Sequence, residues 1–139
     1  MEIKLEPKIL LKEYQMLRGT TKWAKLTDAQ VKKLLRHSAF KVRAKADGKT
    51  VGMARIIFDY GYTAYVSDVI VLDEFQGHGI GKMMMENLLA RLKAASEPGG
   101  FLNVVLQAAP GKSGFYEKLG FTKRTEETGW GMCLRYNSN

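Results

Sequence analysis

Seven residues, Gln76-Gly77-His78-Gly79-Ile80-Gly81-Lys82, stand between a β-branched run and a long stretch free of helix breakers. Glycines at every second position let a backbone turn tightly and bring several N–H groups near one ligand. A helix beginning there adds the unpaired N–H groups of its first turn and the positive end of its dipole. Such a loop can hold an anion, and a phosphate or pyrophosphate is the expected ligand. Two nucleotide loops fail on residues. A G-x-x-x-x-G-K-[ST] loop ending at Lys82 needs glycine at position 76 and a hydroxyl residue at 83, where Gln76 and Met83 stand; tried on Gly111-Lys112-Ser113, the same pattern needs glycine where Leu106 stands. A G-x-G-x-x-G fingerprint from Gly77 meets Lys82 instead of its last glycine. A second chemical candidate is Asp68, which interrupts the run Val66-Ser67-Asp68-Val69-Ile70-Val71. A carboxylate there is costly to bury without a partner. It caps nearby backbone, faces solvent or handles a proton.

The elements that must position these residues follow from periodicity. Residues 2–6 suit an edge strand. Ile9, Leu10, Leu11, Tyr14 and Leu17 make an amphipathic helix over 8–18. Thr27 with Gln30 reads as a capping box opening a helix to about Arg36. Residues 39–46 alternate, Asp47-Gly48 is a hairpin turn, and a strand runs from Thr50 to Phe58. Thr63–Leu72 is β-branched and aromatic, as a central strand should be. Ile80, Met84, Leu88 and Leu92 stripe a long helix through Ala95, with Met83-Met84-Met85 read as its core side. Phe101–Ala108 is a short apolar strand. A helix from Pro110-Gly111 to Leu119 ends at Gly120, and Phe121–Glu126 and Met132–Tyr136 are closing strands around a Gly129-Trp130-Gly131 turn. The order β-α-α-β-β-β-α-β-α-β-β is an α+β fold, with a mixed, mostly antiparallel central sheet and helices on both faces.

The chain has 139 residues, 45% apolar and 26% charged, which predicts one domain over 1–139. One cysteine, Cys133, excludes an internal disulfide and Cys₂His₂ or Cys₄ zinc sites, and no metal is expected. In its apolar strand Cys133 reads as an inert buried thiol. No apolar run reaches membrane length and residues 1–7 lack a signal core, so the expected compartment is cytoplasmic, with no membrane partner. The net charge is +8, and residues 1–49 carry all of it: thirteen Lys/Arg against five Asp/Glu. Solubilising surface lysines account for this, as does a first third that faces something acidic. No basic run interleaves with aromatics as in nucleic-acid motifs, so nucleic acid is not an expected partner.

Read as Q-x-x-G-x-G, Gln76, Gly79 and Gly81 resemble the pyrophosphate motif of the GNAT superfamily of acyl-CoA-dependent N-acetyltransferases. A second match, Gly114-Phe115-Tyr116-Glu117-Lys118-Leu119-Gly120-Phe121, is close to that family's F-Y-x-x-x-G-F signature, with Tyr116 lying 35 residues after Gly81. The detailed resemblance covers about residues 65–122. It implies acetyl-CoA as co-substrate, with the pyrophosphate on the N–H groups of Gly77, His78, Gly79, Ile80, Gly81 and Lys82, and with Gln76 also among the cofactor-binding residues. It implies that the main chain of Val69 and Val71, with Ile70 between, pairs with the pantetheine arm. The Lys82 side chain pairs with a phosphate or is solvated; His78 points to solvent.

The resemblance further implies that Tyr116 lies at the cofactor's thioester and protonates the leaving thiolate. A phenol stays protonated at neutral pH and can act so. Removing the amine proton calls for a base, and Asp68 is the candidate. Trp23, Tyr60, Tyr62 and Tyr65 are candidates for the acceptor pocket, or plain core and surface aromatics. The expected function is transfer of an acetyl group to a primary amine, on a small molecule or a protein. The alternative is a non-catalytic acyl-CoA-binding module. The charge disfavours polyamine or aminoglycoside acceptors and favours amines that also carry carboxylate or phosphate. A serine hydrolase lacks its G-x-S-x-G. A homodimer is compatible with the resemblance.

Overall fold

A computed structural model of the chain describes residues 1–137. Its elements run β1 (Ile3–Glu6), α1 (Leu11–Arg18), α2 (Asp28–His37), β2 (Phe40–Ala46), β3 (Lys49–Phe58), β4 (Thr63–Val71), α3 (Ile80–Ala95), β5 (Asn103–Val105) and α4 (Ser113–Glu117). The strands form one sheet in the order β1-β2-β3-β4-β5, antiparallel except for the β4–β5 pair. One unit, Met1–Gln107, holds the whole sheet; a second starts at Ala108 and holds α4.

The pleat explains why helices cover both faces of the sheet. Arg43 reaches Glu13 on α1, and Lys41 donates to the Leu35 carbonyl on α2. Phe40, of opposite parity on β2, lies under the Arg91 guanidinium of α3 at 5.4 Å. Helix α3 buries Ile80, Met84, Met85, Leu88 and Leu92, while Met83 is exposed. Asp47 and Gly48 both take positive φ, 49° and 84°, as a two-residue hairpin turn requires. Thr27 and Gln30 form the expected capping box, each side chain accepting the other's N–H.

Glu13 ties α1 to the sheet. Its carboxylate accepts from the Leu10 N–H at 2.8 Å, from Arg43 at 2.8 Å and from the Thr50 hydroxyl. Burial works against its charge, but the Thr50 hydroxyl, the Leu10 N–H and the Arg43 guanidinium outweigh it and hold the carboxyl below its ordinary range. The resulting stabilisation is complete above the unfolded value near about 4.3 and is lost as pH falls through the lowered folded value. Urea midpoints of wild type and Glu13→Gln should therefore differ most at neutral pH and converge in acid; a gap independent of pH refutes this account.

Three expectations need correction. Residues 121–137 contain no strand, so the two closing strands, Phe121–Glu126 and Met132–Tyr136, do not form. Local hydrogen bonds hold Arg124–Trp130 as a turn: Arg124 donates to the Thr128 and Gly129 carbonyls, Thr125 and Thr128 pair, and the Trp130 indole donates to Glu126. A strand needs a partner edge, which β-propensity does not supply. Cys133, expected to be buried, is exposed, as are Met132, Leu134 and Tyr136. The β5 strand is limited to Asn103–Val105, shorter than the apolar run that announced it.

Candidate functional site

Strand β4 is paired on both sides only at its start. Thr63, Ala64 and Tyr65 face Asn103, Val104 and Val105; β5 then ends, while β4 continues to Val71 beside β3 alone. The orientation of the last peptide planes is fixed from the β3 side. The Ile70 carbonyl points at Gly52, 3.0 Å from where a Cβ there would sit, and the Leu72 N–H donates to the Val51 carbonyl at 2.9 Å. The Val71 N–H and carbonyl therefore point to the other edge, and by the same alternation so does the Val69 carbonyl. Gln76 takes the Val71 carbonyl at 3.0 Å with its side-chain amide, binding the glycine loop to the strand end.

After a 3₁₀ turn over Asp73–Phe75 the loop turns through Gly77 and Gly79, with φ of 81° and 78°. These are left-handed values that glycine adopts without strain. Gly79 is the N-cap of α3, offers no side-chain cap, and the first helical bond runs from Met83 N–H to its carbonyl. The N–H groups of Ile80, Gly81 and Lys82 are thus the orphan donors of the first turn, with no acidic residue beside them. His78 and Lys82 are exposed, and Lys82 pairs loosely with Glu86 at 3.8 Å. Strand edge and helix end lie in one unit, one directly after the other.

Asp68 sits in a bulge of β4. Arg55 pairs with Ser67 and Met53 with Ile70, so Asp68 and Val69 together oppose Ala54, and Asp68 takes φ of 55°. Its carboxylate is occupied. Oδ2 accepts from the Tyr14 hydroxyl at 2.7 Å and from Arg55 Nε at 2.7 Å; Oδ1 accepts from Arg18 Nη1 at 3.2 Å. The side chains of Asp68, Arg55 and Arg18 are only 9%, 11% and 14% exposed. Arg55 also donates to the hydroxyls of Ser38 and Ser67, and Arg18 to the Ala24 carbonyl, with the Trp23 ring 5.6 Å from its guanidinium. Burial, then the bond to Asp68, pushes the Tyr14 phenol up to about 12, so it remains a donor.

Sequence reading missed Tyr14, Arg18 and Arg55. One signal was available: Arg55 and Asp68 each place a charge inside an apolar run, in consecutive strands and with opposite sign. Of the aromatic candidates, Trp23 joins this network through Arg18. Tyr65 lies on β4 opposite Ile57, and Tyr62 is exposed with its ring 5.8 Å from Phe101. Tyr60 is exposed beside Phe58.

Tyr116 belongs to the second unit, on α4. Its ring meets Phe115 at 4.9 Å and Phe121 at 5.9 Å, both edge-on. Burial raises the phenol above its ordinary value, and its hydroxyl has no protein partner among the described residues.

Comparison with known proteins places the chain in a family and a fold. Residues 37–123 match the family model described as an acetyltransferase (GNAT) domain. An uncharacterised N-acetyltransferase of Porphyra purpurea, ycf52, is 36% identical over 119 residues, 83% of this chain and 66% of its own length. The chloroplastic serotonin N-acetyltransferase 2 of rice (Oryza sativa subsp. japonica) is 40% identical over 74 residues, 53% of this chain and 35% of its own length. The chain thus spans just under two thirds of the first relative and about a third of the second. A solved structure from meticillin-resistant Staphylococcus aureus, described as a probable acetyltransferase, superposes with a TM-score of 0.85 at 28% identity, over 97% of this chain and 100% of that one.

Proposed function

Because the chain belongs to the acetyltransferase (GNAT) family, we propose that it transfers an acetyl group from acetyl-CoA to a primary amine by direct attack. The observation that supports this best is the parting of β4 from β5 after Tyr65, which leaves the Val71 N–H on an open strand edge that runs into an uncapped, glycine-started helix. An extended amide arm can add to that edge as a strand would, and a pyrophosphate suits the orphan N–H groups of Ile80, Gly81 and Lys82. Bound acetyl-CoA supplies an activated thioester carbonyl. Tyr116, as the phenol, gives the departing thiolate its proton. Asp68 serves as base through the one acceptor position on Oδ1 that Arg18 leaves, directly or through water. Trp23, Tyr62 and Tyr65 contribute to the acceptor side.

Thiol release from acetyl-CoA with a panel of amines tests this reading. Turnover on at least one amine is expected; tight acetyl-CoA binding without turnover on any amine makes the protein a non-catalytic acyl-CoA-binding module instead. Gly79→Val should weaken acetyl-CoA binding at least about tenfold, since a β-branched residue at φ 78° costs of order 1–3 kcal/mol and shifts the loop. Unchanged affinity, read by calorimetry, removes the loop from the cofactor site. No helix among the described residues is long and apolar enough to cross a membrane. The chloroplastic rice relative favours a plastid over the cytoplasm as the compartment.

A further inference from the structure

Half of the excess positive charge lies on one stretch of the chain. Residues 19–37, the α1–α2 loop and α2, hold Lys22, Lys25, Lys32, Lys33 and Arg36 against one carboxylate, Asp28, which is half of the chain's net +8. All five cations are exposed, and none takes part in an ion pair among the described residues. On the neighbouring strands β2 and β3, the three cations Arg43, Lys45 and Arg55 are paired with carboxylates, Lys41 donates to the Leu35 carbonyl and Lys49 lies near the Phe75 ring. Folding gains little from this arrangement. Lys32 and Arg36 stand at i,i+4, and Lys33 and Arg36 at i,i+3, spacings at which like charges repel. The helix dipole favours Arg36 near the C-terminus of α2, but not Lys22 or Lys25 ahead of the helix.

The patch is tied to the Asp68 bulge at both ends. Lys22 and Lys25 flank Trp23 and Ala24, both of which Arg18 touches while it holds Asp68. At the other end, Arg36 is two residues from Ser38, whose hydroxyl accepts from Arg55, the second guanidinium on Asp68. Helix α2, with 10 residues, is about 15 Å long, so the cations are spread too widely for a small amine to meet them all. An extended peptide of roughly five residues covers that distance.

We propose that the exposed face of the α1–α2 loop and α2 receives an acidic peptide that carries the acceptor amine. This deepens, and rests on, the acetyltransferase reading. A peptide offers an aliphatic amine at its N-terminus or on lysine, whereas the amino groups of nucleobases are conjugated and poor nucleophiles. The test uses three synthetic peptides with one identical acceptor amine and flanks rich in Asp/Glu, in Gln/Ser or in Lys/Arg, followed by thiol release at low and high salt and by fluorescence anisotropy.

In low salt, kcat/KM for the acidic peptide should exceed that for the neutral one by about tenfold or more, and salt should close the gap. The charge reversal Lys32→Glu, Lys33→Glu, Arg36→Glu should abolish or invert this preference while leaving acetyl-CoA affinity and the neutral-peptide rate unchanged. Circular dichroism reports whether that variant is folded, and Lys22→Glu with Lys25→Glu provides a second reversal outside the helix. Equal rates for acidic and neutral peptides, a preference for the basic peptide, or salt-sensitive binding of duplex DNA in place of the acidic peptide would each overturn the proposal. Binding of the acidic peptide without thiol release from any peptide defeats the acetyltransferase reading and leaves the docking surface standing.

Discussion

Tyr116→Phe should lower kcat by about a hundredfold or more while leaving the acetyl-CoA Kd and the melting temperature nearly unchanged. The ring packs edge-on against Phe115 and Phe121, and phenylalanine keeps those contacts. The hydroxyl bonds to no protein group among the described residues, so its removal orphans no partner. What disappears is the proton that the leaving thiolate would accept. A thiolate near its ordinary pKa of about 8.5 is a far better leaving group when protonated as it departs. Because burial raises the Tyr116 phenol, the donor stays protonated across the neutral range, and any loss of kcat from its ionisation lies above about pH 10. Steady-state kinetics on the best amine decide the matter. A variant with most of the wild-type kcat removes Tyr116 from the chemistry and leaves it a packing residue.

Asp68→Asn should cost about 3 kcal/mol or more of folding stability, roughly 10 °C in melting temperature for a chain of this size. The substitution leaves the Arg18 and Arg55 guanidiniums, both largely buried, without their counter-charge, and turns an amide donor toward donors already in place. Tyr14→Phe removes one donor from the same carboxylate and should cost only about 1 kcal/mol. Denaturant unfolding of both variants measures the difference. An Asp68→Asn protein within about 1 kcal/mol of wild type would refute the idea that this carboxylate holds α1, β3 and β4 together. Kinetics separate that role from proton transfer. If Asp68 also serves as base, the folded variant loses kcat together with the acid limb of its pH profile; if it only positions the bulge, the limb remains and the loss falls on KM.

The glycine loop was legible because its chemistry is local. Helix α3 directly follows its N-cap Gly79, the unpaired donors of its first turn are consecutive residues, and the two left-handed glycines need nothing distant to take their conformation. The helices and the β2–β3 hairpin were legible for the same reason: their caps, stripes and turn residues lie within a few positions of one another. The closing strands failed because Met132–Tyr136 has the composition of a strand but nothing within its own length to pair with.

The sequence by itself determined where a glycine loop opens a helix with unpaired N–H groups and that the chain follows a GNAT-like order of elements, since both rest on short-range geometry and on motifs. It also placed the whole net charge in the first 49 residues. Only the tertiary structure decided what Asp68 touches, because its three donors come from α1 and β3, as many as 54 residues away. It alone decided that β4 outruns β5 and so presents a free edge, and that none of the five cations on α2 and the loop before it enters an ion pair among the described residues. Distant residues meet only when burial brings their elements together, and no spacing along the chain encodes which charges will then find a partner.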